Sequence, residues 1–266
     1  MSAAQAEQRL RDSMANREAN FLRVMEHGVY AQPQSPYRKL LRWAGIELGD
    51  LRQLLRKEGL EAALEKIYAA GVRVSLDEVK GRCDIKRPGL YIPASPHNFD
   101  NPLMARHYEG QSSGSRGPRT RVNIDLNLIE HEAAYVHQYL DSFELWQRPY
   151  AVYRAVPPVV TAVKWMLRLA KVGKSLSRWF SQTPLEARDG NFKFLLFTLS
   201  TCVGGRLLGR EFPAPEYVPV DAPAKIVRWL SQMRRRGTPA VLDTMVSSAV
   251  RLCIDARERG IDISST

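Results

Sequence analysis

Hydrophobic and polar positions alternate with helical spacing through the first part of the chain. Leu10, Met14, Phe21 and Met25 recur among Arg, Glu and Gln, so residues 5–27 read as an amphipathic helix. Ser35-Pro36 reads as an N-cap followed by proline at the first helical position, and Gly45 ends that short helix. A third helical stretch covers about 50–70 and stops at Gly71. Ser75 and Glu78 have capping-box spacing ahead of Val79. From Gly81 to Gly117 the periodicity disappears, and five Gly and four Pro predict loops and short strands.

Beyond Arg119 the pattern changes to alternating strands and helices. Residues 120–124 predict a strand and 127–140 a helix. Residues 150–156 form a β-branched and aromatic run, and 161–180 read as one long amphipathic helix. Pro-rich residues 213–223 read as a connector. Residues 222–236 then predict a helix, 240–242 a buried strand and 247–259 a helix. The pattern predicts an α/β fold, a partly parallel sheet with helices on both faces, preceded by an N-terminal helical segment. The expected division is a helical segment over 1–80 and a nucleotide-binding-like α/β portion over 81–266, together read as one continuous truncated domain.

Composition narrows the class. The chain has 266 residues, 44% hydrophobic and 25% charged, which excludes a disordered or fibrous protein. Cys83, Cys202 and Cys253 are sparse and unpaired in spacing, so neither a disulfide framework nor a zinc ribbon is expected. The N-terminus has no apolar signal core, and the longest charge-free apolar stretch, 194–205, is too short to span a bilayer. These features predict a cytoplasmic protein. The net charge is +11, and residues 151–236 hold 15 Lys and Arg against 5 Asp and Glu, so the excess sits in the middle of the chain. A basic surface of this kind suits nucleic acid, an anionic membrane surface or an anionic substrate.

The most chemically loaded segment is 112–120, Ser-Ser-Gly-Ser-Arg-Gly-Pro-Arg-Thr. Gly114 and Gly117 allow tight turning and close backbone approach. Ser112, Ser113, Ser115 and Thr120 offer hydroxyls, and Arg116, Arg119 and Arg121 offer charge. Small donors, bare N–H groups and cations together make a nest for phosphate oxygens. The ordinary account of the same composition is a solvated hairpin loop.

This segment resembles the phosphate-binding motif of the adenylate-forming acyl/aryl-CoA synthetase superfamily, in which two Ser/Thr precede Gly-Ser/Thr-Thr-Gly-Lys-Pro-Thr/Lys. Ser112, Ser113, Gly114, Ser115, Gly117 and Thr120 match in position. Ser35-Pro36-Tyr37-Arg38-Lys39-Leu40, Ala44-Gly45-Ile46, Leu76-Asp77-Glu78 and Lys80-Gly81-Arg82 resemble the N-terminal part of phenylacetate–CoA ligase-like and acyl-protein synthetase-like members. The resemblance implies an adenylation-domain-like fold, incomplete here, and an enzyme that activates a carboxylic acid with ATP and Mg2+. The acyl group then passes to CoA or another thiol. It also implies that Ser112, Ser113, Gly114, Ser115, Arg116, Gly117, Arg119 and Thr120 hold the nucleotide phosphates. Arg116 stands where the motif has Thr, and Pro118-Arg119 stands where it has Lys-Pro. The family's later segments, including a Tyr-Gly-x-Ser/Thr-Glu run and a catalytic Lys, are not found up to Thr266. The resemblance therefore implies a fragment of a longer protein or a degenerate remnant, with a partner chain as one source of the missing lobe.

Other motifs point elsewhere. Gly110 to Gly114 satisfies the hydrolase Gly-x-Ser-x-Gly pattern, but Gly117 and Pro118 break the helix that nucleophile elbow needs. Gly173-Lys174-Ser175 ends like a Walker A loop whose first glycine position is Arg168. His131-Glu132 begins a zincin motif whose second histidine position is Tyr135. Within 161–180, the stripe Trp165, Leu169, Val172, Leu176 and Trp179 beside Lys164, Arg168, Lys171, Lys174 and Arg178 suits either packing on a sheet or an anionic membrane surface. Arg234-Arg235-Arg236 suits a helix C-terminus or a nucleic-acid patch. Ser247 and Ser248 follow a strand, where open α/β sheets bind ligands, or else merely cap a helix. The alternative to the ligase is thus a non-catalytic remnant or a basic binding module for nucleic acid or membrane.

Overall fold

The computed structural model describes residues 1–93, 95–112, 121–185, 192–207 and 212–264. The chain separates into two compact units, Arg11–Ala105 on one hand and Met1–Leu10 with Arg106–Thr266 on the other. Helices α1 (Ala3–Ala15) and α2 (Arg17–Arg23) run into a π-helical turn at Val24–Tyr30. The 5–27 stretch is therefore helical but broken near Asn16, and its last turn widens until the Ala31 N–H donates to Glu26 O. Helix α3 (Pro36–Trp43) starts with proline in its first turn, and Gly45 follows with φ 71°. Helix α4 (Leu48–Ala69) is interrupted at Gly59 (φ 81°, ψ 176°), where only glycine adopts the backbone cheaply. Helix α5 (Leu76–Val79) carries the reciprocal Ser75–Glu78 capping box.

The first unit closes around Leu40, Leu41, Leu51, Leu55, Ala63 and Ile67, joined by Ile85 and Ile92 of a small hairpin. Its antiparallel strands are β1 (Ile85–Arg87) and β2 (Leu90–Ile92). Buried Glu78 is tied to that hairpin by Arg87, whose Nη1 donates at 3.0 Å.

In the second unit, β3 (Tyr108–Gln111) and β4 (Arg121–Ile124) form an antiparallel hairpin, followed by α6 (Leu126–Ser142) with Asp125 as N-cap. Then come β5 (Tyr150–Tyr153), α7 (Thr161–Val172), β6 (Arg178–Ser181), α8 (Phe192–Leu207), β7 (Pro215–Tyr217), α9 (Ala224–Arg235), β8 (Val241–Thr244) and α10 (Val246–Glu258). The four later strands make one all-parallel sheet in the order β7-β6-β5-β8. Successive residues of a strand point to opposite faces. Tyr150, Val152 and Trp179 accordingly pack with α6, α7 and α8, whereas Ala151, Tyr153 and Phe180 pack with α9 and α10. The sheet is covered on both faces, as the α/β pattern predicts.

Two local expectations are corrected. The single helix over 161–180 ends at Val172, because Gly173 takes the left-handed conformation (φ 87°) and closes it. Leu176 lies beyond it, and Trp179 stands on β6 with no exposed surface. The apolar stripe thus belongs to two elements, and a core demand at β6 mimics helical spacing. The 213–223 connector contains β7, an edge strand, which is where proline is tolerated in a sheet.

Candidate functional site

β5 and β8 are neighbours in the sheet, yet the helices that follow them lie on opposite faces. Ala162, Val163, Met166 and Leu169 of α7 pack on one face, and Leu252 and Ala256 of α10 on the other. Such a divergence leaves a crevice outside the carboxyl ends of the two strands, where open α/β sheets bind ligands.

Polar side chains converge there although β5 itself is aromatic and aliphatic and fully buried. Arg154, directly after β5, donates Nε to Asp243 Oδ1 of β8, and each side chain is only 20% exposed. Thr244 Oγ1 donates to Tyr153 O at 3.1 Å. Gln182, directly after β6, donates Nε2 to Tyr153 O at 3.3 Å and to Ser248 Oγ at 3.0 Å. Trp179 Nε1 donates to Arg154 O at 3.0 Å and fixes the start of the β5–α7 connection. Helix α10 begins beside these groups with no side-chain cap, so its first-turn N–H groups face the strand ends. Tyr153 Oη donates to Val218 O at 3.0 Å; burial, then the charges of Tyr217 and Asp221, push its pKa up to about 12, so it stays neutral.

The 112–120 segment joins the two strands of the β3–β4 hairpin, whose register ends with Gln111 opposite Arg121. The hairpin is docked on the β5–α7 connection. Gln111 N–H donates to Pro158 O at 2.8 Å, and Val160 N–H donates back to Gln111 O at 3.3 Å. Close approach requires Gly110, since a Cβ there would fall 1.8 Å from Val160 Cγ1. Ser112 is half-buried at the entrance to the segment. Ser113, Gly114, Ser115, Arg116, Gly117, Arg119 and Thr120 lie outside the described residues. The predicted strand begins, within the described residues, at Arg121 and belongs to this hairpin, not to the parallel sheet.

Several of the remaining sequence candidates have structural partners. Lys174 of the Walker-like run donates Nζ to Arg148 O at 2.7 Å and to Trp146 O; burial holds its pKa down. His131 is exposed, while buried His137 lies 3.1 Å from Asp141 and edge-on to Trp146. His107 Nδ1 accepts from Leu126 N–H at 3.2 Å and faces Asp125. Five basic residues of 151–236 meet acids across the fold: Lys164 and Arg168 with Glu132, Arg178 and Lys225 with Glu216, and Arg234 with Asp262. Among the described residues no three His, Cys, Asp or Glu gather as a metal cage. No helix among them is long and apolar enough to cross a membrane.

Neither a family model, nor a curated protein, nor a solved structure matches this chain.

Ser248 is legible in the sequence as a strand-end serine, whereas Arg154, Gln182, Asp243 and Thr244 are not. A signal existed in the first of these: a charged residue follows directly on the buried run Tyr150–Tyr153. What pairs Arg154 with Asp243 is a contact across 89 residues, which no local pattern encodes.

Proposed function

We propose that this chain is the N-terminal part of an ATP-dependent, carboxylate-activating ligase of the acyl-adenylate-forming type. It binds the nucleotide phosphates on Ser112–Thr120. The observation that carries the reading is the docking of Gln111 on Pro158 and Val160, which anchors the strand leading into that segment at the β5–α7 connection. Ser112, Ser113, Ser115 and Thr120 donate hydroxyls to phosphate oxygens. Gly114 and Gly117 let backbone N–H groups approach, and Arg119 with Arg116 neutralises charge as the carboxylate attacks the α-phosphorus and pyrophosphate leaves. The Ser248 hydroxyl and the first-turn N–H groups of α10 suit an anion. Mg2+ would enter on the phosphates themselves, its usual mode with nucleotides. The acceptor is CoA or another thiol, and the remaining catalytic groups come from further polypeptide or a partner chain.

A thermal-shift titration with MgATP tests the reading. ATP is expected to raise the melting temperature of the wild-type chain and to leave Gly114→Val unmoved. Equal protection of both proteins removes the segment from the account. Calorimetry with duplex DNA and with anionic vesicles runs alongside: salt-sensitive heat with either, and none with ATP, replaces the ligase with a basic binding module.

A further inference from the structure

A second cavity lies away from the strand ends, in the groove between α6 and α7. It holds about 310 Å³ and is lined by Glu132, Tyr135, Val136, Tyr139, Trp165 and Arg168. That volume lies at the small end of the range for small-molecule sites. The wall is aromatic. Tyr139 packs on Phe143 with centroids 5.4 Å apart, and the Arg168 guanidinium lies 5.5 Å from the centre of the Trp165 ring.

The charges in this wall are already engaged. Glu132 accepts from Lys164 Nζ at 2.7 Å and from Arg168 Nε at 2.8 Å. Burial opposes its ionisation, but these two cations outweigh burial and hold its carboxyl below the usual range. Lys164 and Arg168 are turned to Glu132, and the wall left to an occupant is largely aromatic, which suits an uncharged molecule.

Two polar atoms beneath the groove are buried without hydrogen-bond partners, Tyr150 Oη and Trp165 Nε1. Tyr150 is 1% exposed, and its ring lies 6.4 Å from that of Trp165, tilted by 38°. Trp165 and Tyr139 approach the Tyr150 hydroxyl without completing a hydrogen bond. Buried donors are nearly always satisfied in native proteins, so two of them under one groove ask for a common acceptor. We propose that this groove binds a small, flat, uncharged molecule bearing a carbonyl group. Its oxygen accepts from Trp165 Nε1–H and from the Tyr150 hydroxyl, and its ring lies against Tyr139. Both donors are closed to water, and Tyr139, 36% exposed at the rim, is the side chain whose rotation admits the ligand. Exposed rotamers exchange fast enough for that role.

The probe is benzamide, titrated into the full ¹⁵N-labelled chain while the indole N–H resonances are followed; Trp165→Phe assigns the Trp165 signal. Benzamide is expected to move that signal saturably, and Tyr150→Phe, which keeps the ring, to weaken binding about tenfold, the loss of one hydrogen bond. Tyr139→Ala, on the surface, gives a second variant should Tyr150→Phe fold poorly; it is expected to speed exchange of the ligand without abolishing the shift. Three results would overturn the proposal: a Trp165 signal unmoved by benzamide, an equal shift with ethylbenzene, which lacks the acceptor, or tighter binding of benzoate. MgATP binding is independent of all three, so the nucleotide reading stands or falls separately.

Discussion

Gly110→Ala tests the hairpin docking on which the nucleotide reading rests. A Cβ at residue 110 would lie 1.8 Å from Val160 Cγ1 and 3.1 Å from both Pro158 O and Val160 Cβ. Val160 cannot swing aside freely: it is β-branched, 2% exposed, and packed with Ile124 and Ile129. The added methyl therefore forces either a strained core, costing about 1–3 kcal/mol, or withdrawal of the hairpin. Withdrawal breaks the two bonds between Gln111 and the β5–α7 connection, worth roughly 0.5–1.5 kcal/mol each. Without a clash, replacing glycine by alanine stabilises by about 0.4–1 kcal/mol through the unfolded chain. The sign alone is thus diagnostic. Either loss, less that glycine gain, leaves a net destabilisation of about 1–2 kcal/mol, or a melting temperature lower by roughly 2–8 °C. Urea denaturation measures it, and hydrogen exchange at the Gln111 and Val160 amides localises it. Adding Val160→Ala removes Cγ1 and is expected to recover at least half of the loss in a double-mutant cycle. A Gly110→Ala protein as stable as wild type, with both amides equally protected, would refute the docking argument.

Three further outcomes follow from other contacts in the fold. The Arg87 hydrogen bond, aided by the Ser75 amide, outweighs burial and holds Glu78 below the ordinary carboxylate range. Its folded value is therefore below its unfolded one, near about 4.3. The stability it confers is complete above that pH and is lost as pH falls through the folded value. The gap in unfolding free energy between wild type and Glu78→Gln should shrink between about pH 6 and pH 3; a gap independent of pH contradicts the ion pair. Arg154→Met strands the partly buried Asp243 carboxylate and should cost about 1–3 kcal/mol in urea denaturation, with Asp243→Asn in the same chain recovering part of it. Trp179→Ala should cost about 3–5 kcal/mol as a fully buried strand residue, whereas a loss below about 1 kcal/mol is what a surface-helix position would give.

The elements most legible in the sequence are those whose cause is local. Ser75 and Glu78 announce a capping box because both hydrogen bonds join residues three apart. Gly71 and Gly45 mark helix ends because each takes a positive φ that other residues avoid. The strand–helix alternation after residue 120 predicts a covered parallel sheet because each element must bury one face. Spacing places Trp179 on a helix because its neighbours at 165, 169 and 172 satisfy helical periodicity, and the pattern does not register that Gly173 ends the helix. Strand β7 hid in a proline-rich run because an edge strand gives up half its ladder.

The sequence by itself determined the α/β class, the sites of most helices and the Ser-Gly-Arg character of residues 112–120. These properties reside in spacing, capping and residue chemistry over a few positions. Only the tertiary structure decided the strand order β7-β6-β5-β8, and with it the divergence of α7 and α10 that opens a crevice beside Arg154 and Asp243. It also decided that Gln111 docks on Pro158 and Val160, and that Lys164 and Arg168 turn to Glu132. Each of these joins residues far apart in sequence, from the 27 positions between Ala151 and Arg178 to the 89 between Arg154 and Asp243. Packing and charge pairing select them together, after the local elements have formed, and no short stretch of the chain carries them.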